Sequence, residues 1–183
     1  MYNRIAIIGG AGSGKTTLAN KLSEIYNIPA THLDGIHHLE NWQQRDKEER
    51  DKIILEIASQ EKWIIDGTYR ATLRKRLERA DLIVWLDFST IALLKGVIGR
   101  YIKNKGKEKP EIPGCKEKLD KEFLFLVFRY NKTKRRIIVE NLDGIDKNKV
   151  VILKNRKQVN KWFEKQKNFY KITKKLNPKE SLN

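Results

Sequence analysis

The sequence predicts an α/β protein, with a parallel sheet covered by helices on both faces. Along the 183 residues, short apolar runs alternate with longer segments of helical periodicity. The first apolar run, Ile5 to Ile8, leads directly into a glycine-rich stretch and then into a helical segment. Function in such sheets collects at the carboxyl ends of the strands, so the residues that follow each strand are the most informative.

The glycine-rich stretch matches G-x-x-x-x-G-K-[ST], the Walker A phosphate-binding loop. Its glycines let backbone N–H groups approach phosphate oxygens, and the following helix N-terminus adds unpaired N–H groups. Lys15 is expected to reach the β- and γ-phosphates of a nucleoside triphosphate, and the Thr16 hydroxyl to bind Mg²⁺. The predicted nucleotide-binding residues here are Gly9, Gly10, Ala11, Gly12, Ser13, Gly14, Lys15, Thr16 and Thr17.

The other elements follow from periodicity and from turn residues. Further strands are predicted at 30–33, 62–65, 82–86 and 150–153, each a short apolar run that ends at a polar or turn residue. Helices are predicted from apolar residues at helical spacing, at about 15–26, 47–59, 72–80, 90–104, 117–141 and from 156 onward.

Two segments lack this regularity. Residues 36–47 show no clear period and are interpreted as a functional loop. Residues 105–116 hold two of the four prolines and two glycines, which predicts a mobile segment suited to a closing lid. Cys115 within it is expected to be an inert thiol, exposed or half-buried.

The formal net charge of +16 is concentrated in the second half of the chain. Residues 1–94 carry 13 basic and 13 acidic side chains, residues 95–136 carry 14 and 5, and residues 147–183 carry 12 and 2. Such blocks are typical of nucleic-acid binding, but enzymes that hold several phosphates also need them. Because 11 of the last 12 basic residues are lysines, we expect general solvation and weak non-specific nucleic-acid binding at low salt.

Several classes of protein are disfavoured. No apolar run approaches the roughly 20 residues of a membrane span, and Arg4 to Ile8 runs straight into the phosphate loop, without a signal peptide. A single cysteine excludes an intramolecular disulfide and a multi-cysteine zinc site. The expectation is one cytoplasmic domain over residues 1–183, a monomer or homodimer with no membrane partner.

Three aspartates follow predicted strands and compete for the role of magnesium carboxylate. Asp66 begins Asp66-Gly67-Thr68-Tyr69-Arg70, which resembles the Asp-Gly-Phe-Pro-Arg segment of adenylate kinases, although Tyr69 replaces the proline. That resemblance implies that Asp66 orients magnesium waters and that Arg70 holds an acceptor phosphate. Asp34 lies where gluconate- and shikimate-kinase-like enzymes place an aspartate against the acceptor hydroxyl. Asp87 is either a third such carboxylate or a turn or capping residue.

Other candidates lie outside the strand ends. Arginines that flank the segment 105–116 are candidate phosphate clamps, although exposed helical arginines are usually only solvated; they are Arg100, Arg129, Arg135 and Arg136. Asn155 and Arg156 follow the last strand and are expected to pack against adenine. His37 and His38 line an acceptor pocket or are ordinary loop residues, and their spacing does not favour a metal site. Trp42 either stacks on an acceptor base or covers the core.

The chain resembles the bacterial DNA topology modulation protein family, which is grouped with adenylate kinase-related P-loop proteins. The resemblance rests on segments spread over the whole chain: residues 4–9, 32–34, 63–69, 79–87 and 114–120. It implies a three-layer nucleotide-kinase fold with a five-stranded parallel sheet in the order 2-3-1-4-5, a lid before the long helix, and ATP as the nucleotide. The family name reflects a proposed influence on DNA supercoiling, which is not a demonstrated chemical reaction.

The resulting hypothesis is an ATP- and Mg²⁺-dependent phosphotransferase that acts on a small acceptor. Its expected catalytic residues are Lys15, Asp34, Asp66, Arg135 and Arg136. Its expected acceptor-binding residues are Asp34, His37, Asp66, Gly67 and Arg70. Two alternatives stay open: an ATP-binding regulator with slow hydrolysis, and an ATP-dependent protein associated with DNA.

Overall fold

A parallel five-stranded sheet forms the centre of the computed structural model, which describes residues 2–176. Its strands run in the order β2-β3-β1-β4-β7. Because β5 and β6 form a separate hairpin, this is the predicted order 2-3-1-4-5, and the α/β fold class is confirmed. The strands are β1 (Arg4–Gly9), β2 (Ala30–His32), β3 (Trp63–Asp66), β4 (Leu82–Leu86), β5 (Glu108–Lys109), β6 (Ile112–Lys116) and β7 (Val150–Leu153).

Eight α-helices surround the sheet within the described residues. They are α1 (Lys15–Tyr26), α2 (Leu33–His37), α3 (Lys47–Ser59), α4 (Arg70–Arg79), α5 (Thr90–Asn104), α6 (Lys121–Arg129), α7 (Lys134–Leu142) and α8 (Arg156–Leu176). Residues 5–8 of β1 and the whole of β3 and β4 are buried, as expected for parallel strands covered on both faces. Within residues 2–176, no helix combines the length and apolarity that a membrane crossing requires.

The register of the strands places the carboxyl ends of β1, β3 and β4 at the same edge of the sheet. Ile7 of β1 is paired with Asp66, and Gly9 is paired with Leu86. The phosphate loop, Asp66 and Asp87 therefore share one edge of the sheet, which is the edge predicted to carry function.

Two local predictions are wrong. Within the segment 105–116, β5 and β6 pair in an antiparallel hairpin, and the predicted mobility and lid role of this segment stay predictions. Cys115 is fully buried rather than exposed or half-buried. The long helix expected over 117–141 is two helices separated by a 3₁₀ turn at Tyr130–Lys132.

The helix break has a tertiary cause. Tyr130 is buried with its ring against Gly10, and the Asn131 side-chain amide donates to the Thr90 hydroxyl at 3.0 Å. These contacts hold the turn against the phosphate loop and α5. The spacing of apolar residues in the sequence does not reveal these contacts.

Residues 36–47, expected as a loop, hold the end of α2 and a 3₁₀ turn at Glu40–Trp42.

Asp81 fastens the start of β1. Its carboxylate accepts hydrogen bonds from the Arg4 backbone N–H at 2.9 Å, from the Asn3 N–H at 3.1 Å and from the Arg4 guanidinium at 2.7 Å. Burial acts to raise the pKa of Asp81, but the hydrogen bonds from Arg4 and Asn3 outweigh it and lower the pKa below its ordinary value.

Asp81→Asn is expected to destabilise the protein by about 1–2 kcal/mol at pH 7. Because the folded-state pKa lies below the value of about 3.9 in an unfolded chain, this stabilisation is present above that pH and is lost as the pH falls through the folded pKa. Urea unfolding of both proteins between pH 7 and pH 3 should show that the difference between their free energies of unfolding becomes smaller as the pH falls. A gap that stays constant over this range would contradict the assignment.

Candidate active site

The phosphate loop has the backbone geometry that anion binding requires. Gly12 and Gly14 have positive φ angles of 79° and 93°, which favour glycine. Gly14 stands at the N-cap of α1, and no side chain caps the helix there. The N–H groups of the first turn are therefore available to phosphate oxygens, and the loop fits the triphosphate of a nucleotide.

Two cations reach this loop. The Lys15 ammonium donates to the Gly10 carbonyl at 3.1 Å, and the Arg156 guanidinium donates to the Gly12 carbonyl at 3.2 Å. Arg156 is the first residue of α8, so this helix begins against the phosphate loop. Asn155 accepts a hydrogen bond from the Gln158 N–H at 2.9 Å and thus supports the start of α8, so its contact with adenine stays a prediction.

Asp66 lies one strand away from the phosphate loop, and its side chain is only 4% exposed. Its Oδ2 is 2.6 Å from Nδ1 of His32, the last residue of β2. This hydrogen bond raises the pKa of His32, against the opposing effect of burial. The neighbouring Thr68 hydroxyl accepts from the Gly9 N–H at 3.1 Å and so ties the end of β3 to the loop.

Thr16 and Asp66 offer the hard oxygen ligands that Mg²⁺ prefers. Residues 2–176 contain no group of three or more His, Cys, Asp or Glu side chains that could hold a metal. Mg²⁺ in phosphoryl-transfer sites usually needs only one or two protein ligands and takes the rest from phosphates and water. The donor set therefore fits Mg²⁺ bound together with a nucleotide.

Asp34 lies in the first turn of α2, exposed to solvent, and accepts a hydrogen bond from the Tyr69 hydroxyl at 3.0 Å. Desolvation by the surrounding protein atoms acts to raise the pKa of the Asp34 carboxylate. The charges of Lys15 and Lys109 and the hydrogen bond from Tyr69 outweigh this effect, so the pKa of Asp34 falls below its ordinary value. Asp34 is thus an ionised carboxylate close to the cation of the phosphate loop.

A second group of side chains stands beside Asp34. The Arg50 guanidinium lies over the Tyr69 ring at 5.2 Å, pairs with Asp51 at 2.7 Å and is 3.5 Å from His37 Nδ1. Burial, together with the charges of His38 and Arg50, lowers the pKa of His37, so its imidazole is neutral at pH 7. Sequence reasoning missed Arg50 and the Tyr69 hydroxyl; the only signal for Arg50 was its position directly after the functional loop.

The turn after β3 is held by a residue that sequence analysis did not single out. Arg76 is fully buried and donates to the Gly67 carbonyl at 3.1 Å and to the Tyr69 carbonyl at 3.2 Å. Burial lowers the pKa of Arg76 to about 10, so it stays charged at neutral pH. These hydrogen bonds fix the turn although Tyr69 replaces the proline of the adenylate kinase segment. Arg70 begins α4 and is exposed, so its acceptor role stays a prediction.

The four arginines expected as phosphate clamps already have partners. Arg135 makes two hydrogen bonds to Asp87, at 2.8 and 3.0 Å, which gives Asp87 a structural role. Arg100 pairs with the buried Glu117 at 3.0 Å, and the exposed Arg136 pairs with Glu140 at 2.7 Å. Arg129 is exposed over the Phe125 ring. Within residues 2–176 none of these arginines hydrogen-bonds to the phosphate loop, so their predicted role gains no support from the geometry.

Neither known protein-family models nor curated proteins match this chain. Several solved structures do. A shikimate kinase from Bacteroides thetaiotaomicron is 17% identical, with a TM-score of 0.56 over 93% of this chain and 99% of that one. A shikimate kinase from Acinetobacter baumannii in complex with shikimate is 16% identical, with a TM-score of 0.53 over 99% and 96%.

A gluconokinase from Sinorhizobium meliloti 1021 is 18% identical, with a TM-score of 0.50 over 84% of this chain and 83% of that one. At these identities the likeness concerns the fold. This chain has the fold of P-loop kinases over almost its full described length.

Proposed function

We propose that this protein is an ATP- and Mg²⁺-dependent kinase that phosphorylates a hydroxyl group of a small acceptor. The observation that carries the proposal is the position of Asp34. It is an accessible carboxylate, held by the Tyr69 hydroxyl, and its pKa is lowered by the nearby charge of Lys15. A base for a hydroxyl group thus lies beside the loop that would bind the donor phosphates.

Each residue has a distinct task in this proposal. The N–H groups of the phosphate loop and Lys15 bind the donor phosphates, and Arg156 supports the loop from the nucleotide side. Thr16 and Asp66 would hold Mg²⁺, which supplies positive charge to the donor phosphates. No task is assigned to Arg135 or Arg136, because Asp87 and Glu140 already bind their guanidinium groups.

The transfer of the γ-phosphoryl group requires a base for the acceptor hydroxyl and a cation at the transferred group, which Asp34 and Lys15 supply. Asp34 orients the acceptor hydroxyl and takes its proton, and the hydroxyl oxygen forms a bond to the γ-phosphorus. The bond from that phosphorus to the bridging oxygen breaks, and its electron pair leaves with ADP. Lys15 stabilises the charge that develops on the transferred group. The products are ADP, a phosphorylated acceptor and a proton, which Asp34 releases to solvent.

Acceptor-stimulated ADP release tests this proposal. The panel should begin with shikimate and gluconate, since solved kinases of the same fold are named for them, and should extend to nucleosides and nucleoside monophosphates. We expect one class of acceptor to raise ADP release at least about tenfold above ATP alone, and Lys15→Met to abolish the increase. ATP binding without stimulation by any acceptor would contradict a kinase and favour the regulator.

An ATP-dependent association with nucleic acid is the second candidate. The exposed lysines of α8 favour it: Lys157, Lys161, Lys165, Lys167, Lys171 and Lys174. Affinity for duplex DNA that depends on ATP and persists at about 150 mM salt would support this candidate. Binding that disappears by that salt concentration would reflect bulk charge alone.

A further inference from the structure

The β5–β6 hairpin docks on the acceptor side of the site. Trp42 of the 3₁₀ turn donates from its backbone N–H to the Cys115 sulfur at 3.2 Å, and from its indole N–H to the Lys116 carbonyl at 3.2 Å. The Cys115 thiol donates in turn to the Leu39 carbonyl at 3.3 Å. The hairpin is therefore fastened to the segment that follows Asp34.

Glycine makes a second close approach possible. The Glu111 carbonyl at the tip of the hairpin lies so close to Gly35 that any Cβ there would overlap it. Gly35 is the residue after Asp34, so the tip lies directly beside the proposed base. Only a residue without a side chain allows this contact.

Trp42 holds the hairpin at a cost in backbone strain. Asn41 and Trp42 have φ angles of 56° and 61°, a left-handed conformation that asparagine tolerates but that is unfavourable for a bulky residue such as Trp42. The Lys109 and Lys118 ammonium groups lie 5.2 and 5.3 Å from the centre of the Trp42 ring. Trp42 thus engages the hairpin, and of the two alternatives for this residue, stacking on an acceptor base gains no support from the geometry.

Lys109 is the cation that this docking brings to Asp34. Its side chain is half-buried, and within residues 2–176 no carboxylate oxygen lies within 4.0 Å of its ammonium. Burial and the charge of Arg100 lower the pKa of Lys109, while Glu117, Asp34 and Glu111 act to raise it. Without a carboxylate partner among the described residues, this half-buried ammonium is available to pair with an anion, and its partial burial would strengthen that pairing.

We propose that Lys109 binds an anionic substituent of the acceptor, a carboxylate or a phosphate, while the acceptor hydroxyl faces Asp34. This proposal rests on the proposed kinase function and names its substrate class: a small hydroxyl compound that carries an oxyanion. Asp34 repels an anion, so the two ends of the acceptor are sorted by charge between Asp34 and Lys109. An ammonium is a point charge without the paired donors of a guanidinium, so it can bind either a carboxylate or a phosphate. Trp42 is a positioning residue that places Lys109.

Fluorine NMR of the full-length protein with 5-fluorotryptophan tests the proposal without turnover. The chain has four tryptophans, and Trp42→Phe assigns the resonance of Trp42. The probes are glycerate, glycerol 3-phosphate and glycerol, added in the presence of Mg²⁺ and ADP. We expect both anions to shift the Trp42 resonance saturably, and neutral glycerol at equal concentration to leave it unmoved. The two anions distinguish a carboxylate from a phosphate preference.

Lys109→Met and Lys118→Met form a matched pair, since both lysines contact the Trp42 ring but only Lys109 lowers the pKa of Asp34. Lys109→Met should weaken anion binding at least about tenfold, and Lys118→Met should change it less than about twofold. Equal losses in both variants, an equal response to glycerol, or no response to either anion would overturn the proposal. Acceptor-stimulated ADP release over the panel above, measured with the original protein, reports separately on the proposed kinase function, because it does not depend on the Trp42 resonance.

Discussion

Asp34→Asn is expected to lower the acceptor-dependent kcat by about 10²- to 10⁴-fold, because the variant loses the group that takes the hydroxyl proton. ATP binding should be retained, since the phosphate loop and Arg156 do not depend on that carboxylate. The asparagine keeps the size of the side chain and an oxygen that can accept from the Tyr69 hydroxyl. Steady-state kinetics with the acceptor found in the panel, together with ADP titration, measure both quantities.

Asp143→Asn is the matched control, because Asp143 is an exposed aspartate beyond the end of α7. It should leave kcat within about twofold of the original protein. The pH dependence adds an independent readout. Because the pKa of Asp34 is lowered, its acid limb in kcat should lie below the usual aspartate range and be missing in Asp34→Asn. An asparagine variant that keeps kcat within about tenfold would remove Asp34 from the chemistry.

Gly96→Ala is expected to have the second-largest effect. Gly96 of α5 packs so closely on the Gly12 carbonyl that a Cβ would overlap it, and the same Cβ would lie 3.0 Å from the Arg156 guanidinium. The added methyl group must push the phosphate loop away and disturb the hydrogen bond from Arg156 to Gly12. We expect ATP affinity to fall at least about tenfold and the free energy of unfolding to fall by about 1–3 kcal/mol.

Gly99→Ala provides the control on the same helix, because a Cβ at Gly99 meets nothing within 4 Å. It should raise the free energy of unfolding by about 0.5–1 kcal/mol through helix propensity and leave ATP affinity unchanged. Urea unfolding and ATP titration of the two variants compare them directly. If Gly96→Ala bound ATP as tightly as Gly99→Ala, the loop would not depend on this packing.

Local patterns predicted most of the framework. The phosphate loop is a contiguous motif between a strand and a helix, and most of its glycines stand at positions where the backbone needs positive φ angles. The buried parallel strands appear as apolar runs, and α5 begins at Thr90 because Ser89, one of the two residues that the sequence offered as a cap, accepts a hydrogen bond from the Ala92 N–H. The prediction of Asp66 and Asp34 as site candidates used the same logic, since both follow strands whose ends meet at one edge.

Contacts between segments that are far apart in the sequence could not be predicted from local patterns. The segment 105–116 was predicted to be mobile from its prolines and glycines, and no local pattern indicated the hairpin, whose docking depends on Trp42, Cys115 and Gly35. The predicted clamp role of Arg135 could not be weighed without its partner Asp87, which lies 48 residues earlier in the chain. Arg76 reads as one more basic residue on a basic helix, and only burial distinguishes it.

The sequence by itself determined the α/β framework and the phosphate loop, because both are set by backbone conformation and apolar periodicity within short windows. The tertiary structure decided which charges are free to act. Arg135 is bound by Asp87 from another element, whereas Lys109 is brought to Asp34 without a paired carboxylate among the described residues. The physical reason is that a charge acts through its neighbours and its burial, and folding chooses those neighbours from remote parts of the chain.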